Sequence, residues 1–268
     1  MALQEDGMDP DQAGPILPEV FNAGGSGAVV LVCEHASNAI PARYANLGLD
    51  DGDLTSHVAW DPGAYDVARA VAGQLDAIFV ASRVSRLVYD CNRLPESPDA
   101  MPEISEIFEI PGNKELSDAQ KRERVENVYL PFKQTLSDVI SRAGQLKIMV
   151  TVHSFTPVYF GASRDVHIGI LHDEDSRFAD AMLELSGQFT SLDVRRNEPY
   201  GPEDGVTHTL IEHGVRNGLM NVMIEIRNDL LAVEQDRIII SDMLAAWIGA
   251  VCDKLGIAGA GKGTACPE

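Results

Sequence analysis

The chain has 268 residues, of which 45% are hydrophobic, 23% charged and 6% aromatic. That is enough apolar material for one large packed domain, and it excludes a wholly disordered polymer. The 21 basic and 41 acidic residues leave a formal charge of −20, which argues against nucleic-acid and anionic-membrane partners.

Residues 1–26 are rich in Asp, Gly and Pro and read as a mobile arm. Their polar, acidic start has neither the basic residues nor the apolar core of a secretory signal, and no apolar run reaches the ~18 residues of a membrane span. A cytoplasmic protein is expected. Residues 27–256 are expected to form one domain, and 257–268 a frayed tail.

AVVLVC at 28–33 is a continuous apolar run and predicts a buried strand. Residues 61–75 have helical spacing, with Asp61 as a cap and Pro62 in the first turn. Short strands are expected at 77–82 and 86–90, then a proline-rich irregular insertion at 94–116. Ser117 and Gln120 match a capping box that opens a helix to about 143, with Pro131 expected to kink it. Further strands are predicted at 147–152, 166–171, 191–195 and 219–226. Helices are predicted at 174–188, 206–218 and 233–255. Apolar strands separated by helices predict a single α/β/α domain around a mostly parallel sheet.

Ligands bind such sheets at the carboxyl ends of the strands, and four predicted strands end in polar clusters. The first runs into Glu34-His35, another into Asp90-Cys91-Asn92-Arg93, and a third into His153-Ser154. The last carries Glu225 and ends at Arg227-Asn228-Asp229. His172, after the 166–171 run, is expected near the same rim. Two strand-end histidines suggest a catalytic zinc site, which takes three protein ligands and keeps one position open. His35 and His153 supply two ligands; Asp61, Glu34 and Asn38 are candidates for the third. Glu225, flanked by isoleucines, is either salt-bridged to an Arg or a general base with a burial-shifted pKa. Arg83, Arg86, Arg93 and Arg227 are a candidate anion clamp. The four cysteines form no CxxC pair, and no dinucleotide fingerprint, P-loop or esterase elbow is present.

The segments VCEHASNAIP, HVAWDPGA, SRLVYDCNR, VHSFTP, HIGILHD, NEPY and IEIRNDL, spread over residues 30 to about 232, together resemble the N-formylglutamate amidohydrolase (N-formylglutamate deformylase) family. The resemblance implies a three-layer α/β/α sandwich like that of the zinc exopeptidases. It implies one zinc ion held by His35, Asp61 and His153, with Glu225 as catalytic base. Asn92 and Arg93 would hold the substrate α-carboxylate, and Arg86 or Arg227 a second carboxylate or the oxyanion. The first motif reads Glu-His-Ala-Ser where the histidine-breakdown deformylases carry Pro-His-Ser-Gly, so the reaction class is firmer than the substrate. The expected reaction converts N-formyl-L-glutamate to formate and L-glutamate, and the expected partner is a small anionic N-acyl amino acid. The alternatives are hydrolysis of other N-acyl amino acids, a carboxypeptidase-like peptidase, or a non-catalytic protein that binds an acidic metabolite.

Overall fold

The computed structural model describes residues 14–258. The first half of the predicted arm and nearly all of the predicted tail lie outside the described residues. The second half of the arm is not loose: Glu19–Phe21 forms strand β1, which pairs antiparallel with β3 at the sheet edge.

In chain order, β2 is Val29–Cys33, α1 Asp51–Thr55, α2 Ala64–Gln74 and β3 Ile78–Ala81. The proline-rich insertion carries a small hairpin, β4 (Ile104–Ser105) and β5 (Phe108–Glu109). Then follow α3 (Asp118–Arg124), α4 (Leu130–Arg142) and β6 (Ile148–Phe155). A second hairpin, β7 (Val158–Tyr159) and β8 (Ala162–Ser163), leads to β9 (Ile168–Leu171) and α5 (Arg177–Phe189). The chain closes with β10 (Val194–Arg196), β11 (Met220–Arg227) and α6 (Glu234–Lys254).

Seven strands form one mixed sheet in the order β1-β3-β2-β6-β11-β9-β10. Neighbours from β3 to β11 run parallel, whereas β9 runs antiparallel to β11. On one face Val29, Leu31, Val150, Val152, Val222 and Ile224 pack against apolar residues of α2, α5 and α6. On the other, Val30, Val32, Met149 and Met223 meet Phe132 and Leu136 of α4 and Leu210. This is the expected three-layer α/β/α sandwich, with β2, β6 and β11 at its centre because each is apolar on both faces. No helix among the described residues is long and apolar enough to cross a membrane.

Ser117 caps α3 through the predicted capping box with Gln120. A π turn over Val125–Tyr129 joins α3 to α4, so the helical path continues past Pro131. Proline has no N–H for the carbonyl four residues earlier. That carbonyl, on Asn127, instead accepts from the Ile16 N–H at 2.8 Å and ties down the segment leading to β1.

The helix predicted at 206–218 is present over 208–217 and is closed by Gly218, with a π turn at Leu210–Gly214 and a final 3-10 turn. Two further expectations differ from the structure. Residues 86–90 form no strand; they are a turn in the loop that follows β3. His172 does not reach the carboxyl rim, because β9 runs against β11 and its end lies toward the sheet's other edge: Leu171 pairs with Met223, while Ile168 pairs with Ile226. There His172 meets Arg196 Nη1 at 2.8 Å.

Candidate active site

At the carboxyl rim, β2, β6 and β11 deliver their polar residues side by side. His153 and Glu225 are in-register partners on β6 and β11. They project from the same sheet face as Met149 and Met223, because alternate strand residues share a face. His35 follows directly on β2. Asp61 arrives from the loop before α2, held by its N–H donating to the His35 carbonyl at 3.0 Å. It is not the helix cap: Gly63 occupies that position with φ +81°, and a side chain there would strike Leu231. The Asp61 carboxylate is thereby free to turn into the site.

His35 Nδ1, His153 Nδ1 and Asp61 Oδ2 form a small triangle. Its edges are 3.2 Å between the two nitrogens, 3.3 Å from His35 to Asp61 and 2.9 Å from His153 to Asp61. All three residues are buried. Zinc bonds of about 2.0–2.2 Å to nitrogen and oxygen place tetrahedral ligand atoms about 3.3 Å apart. The triangle therefore has the edge length, the donor types and the ligand count of a catalytic metal site, and His35, Asp61 and His153 could hold a metal ion.

The outer nitrogens strengthen this fit. His35 Nε2 lies 2.7 Å from Asp90 Oδ1. His153 Nε2 lies 3.1 Å from Glu34 Oε2, an ion-pair distance off the hydrogen-bond direction. Metal-binding histidines characteristically present their second N–H to a carboxylate, which fixes the tautomer and ring orientation. Glu34, an alternative third ligand in the sequence, thus takes the role of a partner behind His153. Asp90 does the same for His35 and in turn accepts from the Asn92 N–H at 2.9 Å.

The electrostatics follow from this crowding. Burial and the Arg86 cation oppose charge on His35, but Asp90 and Asp61 outweigh them and raise its pKa. Burial likewise opposes charge on His153, and Glu34 with Asp61 drives its pKa well up. Asp61 and Asp90 are depressed despite burial, Asp61 by the two histidines and Asp90 by His35 and Arg86. Glu225 goes the other way: burial pushes its carboxyl up to about 7, with His153 pulling against it. Its Oε2 has no hydrogen-bond partner among the described residues.

A cavity of about 580 Å³ opens over this floor. Arg86, Arg93, Arg164, Tyr159 and Tyr200 are among the residues lining it. Arg86 Nη2 donates to Asp90 Oδ2 at 2.8 Å, and its Nη1 lies 3.4 Å from Asp61 Oδ1. Arg93 Nη1 donates to the Asp204 carbonyl at 3.2 Å. The two other expected substrate contacts are placed differently. The Asn92 amide is occupied by main chain, donating to the Val206 carbonyl at 2.5 Å and accepting from the Thr209 N–H at 2.9 Å. Arg227 does not line the cavity; it donates to the Arg164 carbonyl at 3.0 Å and pairs with Asp229. Arg83 is exposed. Sequence reasoning missed Arg164 and Tyr200. Tyr200 belongs to the NEPY segment, whereas Arg164 falls in none of the matching segments.

The N-formylglutamate amidohydrolase family model matches residues 27–232. The crystal structure of the gene product Atu2144 from Agrobacterium tumefaciens is 52% identical in sequence and superposes with a TM-score of 0.87, over 91% of this chain and 97% of that one. The crystal structure of an N-formylglutamate amidohydrolase from Ralstonia eutropha JMP134 is 17% identical with a TM-score of 0.60, over 90% of this chain and 96% of that one, and shares the fold. No curated protein matches the chain.

Proposed function

The chain belongs to the N-formylglutamate amidohydrolase family, and we propose that it hydrolyses the amide bond of N-formyl-L-glutamate, giving formate and L-glutamate, with one zinc ion as cofactor. The observation that carries this reading is the buried nitrogen–nitrogen–oxygen triangle of His35, His153 and Asp61, with an unpaired buried carboxyl in register beside it. A non-catalytic binder of an acidic metabolite has no use for four carboxylates beneath its ligand.

His35, Asp61 and His153 would hold the metal, which when bound supplies a Lewis acid for the amide carbonyl and for water. Asp90 and Glu34 hold the two imidazoles with Nδ1 facing inward. Glu225 takes the proton of the attacking water at a carboxylate oxygen and passes it to the departing amine nitrogen. Burial helps in both steps, because a carboxyl raised above the usual range is a better base toward water and still returns the proton to an amine. Arg86, fixed by Asp61 and Asp90, faces the oxygen on which negative charge develops. Arg93 holds the α-carboxylate.

The test is formate release from N-formyl-L-glutamate by zinc-loaded enzyme, with and without a chelator. Turnover that the chelator abolishes and added zinc restores supports the reaction, cofactor and substrate together. Absence of turnover by enzyme holding stoichiometric zinc would discard this substrate and lead to a panel of other N-acyl amino acids.

A further inference from the structure

Three guanidinium groups line the cavity, and they differ in what already satisfies them. Arg86 faces two carboxylates. Neither Arg93 nor Arg164 has a carboxylate partner among the described residues: Arg93 Nη1 donates to a main-chain carbonyl and Arg164 Nη1 to the Tyr200 hydroxyl, at 2.9 Å. In a chain with 41 acidic and 21 basic residues, two cavity arginines without a direct ion pair among the described residues stand out. Two uncommitted cations in one pocket match a ligand with two anionic ends.

Arg164 is also held ready. Its guanidinium carbon lies 4.2 Å from the ring centre of Tyr159, 4.8 Å from Tyr200 and 5.7 Å from Phe155. Aromatic faces orient the guanidinium plane without using its donors. Its main chain is fixed on both sides: the N–H donates to the Pro157 carbonyl at 2.8 Å, and the carbonyl accepts from Arg227 Nη1 at 3.0 Å. Of the five N–H donors of an arginine, the Tyr200 hydroxyl takes one, which leaves a fork for a carboxylate.

We propose that Arg164 is the specificity-determining residue of the pocket, receiving the side-chain carboxylate of an acidic N-acyl amino acid while Arg93 receives the α-carboxylate. This rests on the hydrolase reading above. Arg93 lies three residues from Asp90, which buttresses His35, and so sits on the side of the scissile amide. Arg164 follows β8 at the half-buried base of the β7–β8 hairpin, outside the segments that carry the ligand triangle, and is the cation left for the distal carboxylate. Arg227 acts through Arg164 as a positioning residue.

N-formyl-L-glutamate and N-formyl-L-glutamine have the same shape and differ in the charge of one end. The zinc-loaded wild type should prefer the glutamate compound. Arg164→Met should reduce that preference in kcat/KM by about 10- to 100-fold, mainly through KM, the range of a lost charge-assisted pair. Arg164→Lys should recover part of it, and Arg93→Met should lower both substrates in parallel. A wild type without the preference, or an Arg164→Met variant that loses both substrates by one factor, overturns the assignment. If the zinc-loaded wild type hydrolyses neither compound, the N-formyl substrates are discarded, and calorimetric titration with glutarate and its monoamide decides the anion seat separately. Tighter glutarate binding that disappears in Arg164→Met supports it; equal binding of the two compounds to wild type overturns it.

Discussion

Gly169 on β9 stands directly across from Glu225 on β11, and the Glu198 carbonyl passes 2.0 Å from the point where a Gly169 side chain would begin. The loop after β10 therefore folds down onto the sheet beside the buried Glu225 and carries Tyr200 to the cavity wall. Tyr200 registers this closeness: burial and the Glu225 charge push its hydroxyl up to about 12.

Gly169→Ala tests that packing. Main chain cannot yield at 2.0 Å, so the loop must lift away from the sheet. Overpacking of this kind costs about 1–3 kcal/mol, or roughly 2–10 °C in thermal midpoint for a domain of this size. The variant should also lose affinity for anionic substrate, because Tyr200 and the stacked Arg164 move with the loop. A thermal melt and a KM measurement check both; unchanged values in both would show that the loop does not depend on the missing side chain.

Asn92 separates a structural amide from a substrate contact. Asn92→Ala leaves the buried Thr209 N–H and the Val206 carbonyl without their partner. An unsatisfied buried group costs about 1–3 kcal/mol, so a fall in thermal midpoint is expected. Activity should fall by the same factor on N-formyl-L-glutamate and N-formyl-L-glutamine. A loss confined to KM, without a change in thermal midpoint, would return Asn92 to the substrate.

The contrast between Asn92 and His153 shows what the sequence makes legible. His153 ends an apolar run that can only be a central strand, so its place at the rim follows from the pattern. The Glu225 position follows likewise from LMNVMIEI. Asn92 and Asp90 lie in a loop, where no periodicity fixes direction; their grouping with the rim was readable, but not which atoms face the main chain. Arg164 was invisible because its role depends on three aromatic rings brought from separate segments, Phe155, Tyr159 and Tyr200. The reversal of β9, which removes His172 from the rim, likewise leaves no trace in a four-residue apolar strand buried on both faces.

Metal uptake should be linked to protons. His35 and His153 both have raised pKa values without a metal, and a coordinating imidazole must be neutral. Affinity for zinc should therefore weaken as the pH falls, starting above the ~6.5 of a free imidazole, with proton release on binding. Calorimetry in buffers of different ionisation enthalpy measures that release directly. Affinity that stays constant between pH 6 and 8 would show that the two imidazoles are not the ligands.

Glu225→Gln keeps the shape of the side chain and removes its proton chemistry. Turnover should fall by about 10²–10⁴-fold, the usual contribution of a positioned acid–base group, while zinc stoichiometry stays unchanged because Glu225 is outside the ligand triangle. Elemental analysis alongside single-turnover rates checks both halves. Wild-type rates in a variant with full zinc would transfer the base role to another residue.

Acid lability should have a component from His213, which is buried in the π turn Leu210–Gly214. Burial lowers its pKa to about 4, against the opposing pull of Glu212, while the unfolded chain titrates near 6.5. Between these values the unfolded state binds more protons, so stability rises with pH across the window and is lost as pH falls from about 6.5 to 4. At about 1.36 kcal/mol per pH unit the full loss approaches ~3 kcal/mol. His213→Gln cannot take up that proton, so denaturant unfolding at pH 7 and at pH 4.5 should show a smaller acid loss in the variant than in wild type. Equal losses in the two proteins would place the acid-sensitive group elsewhere in the fold.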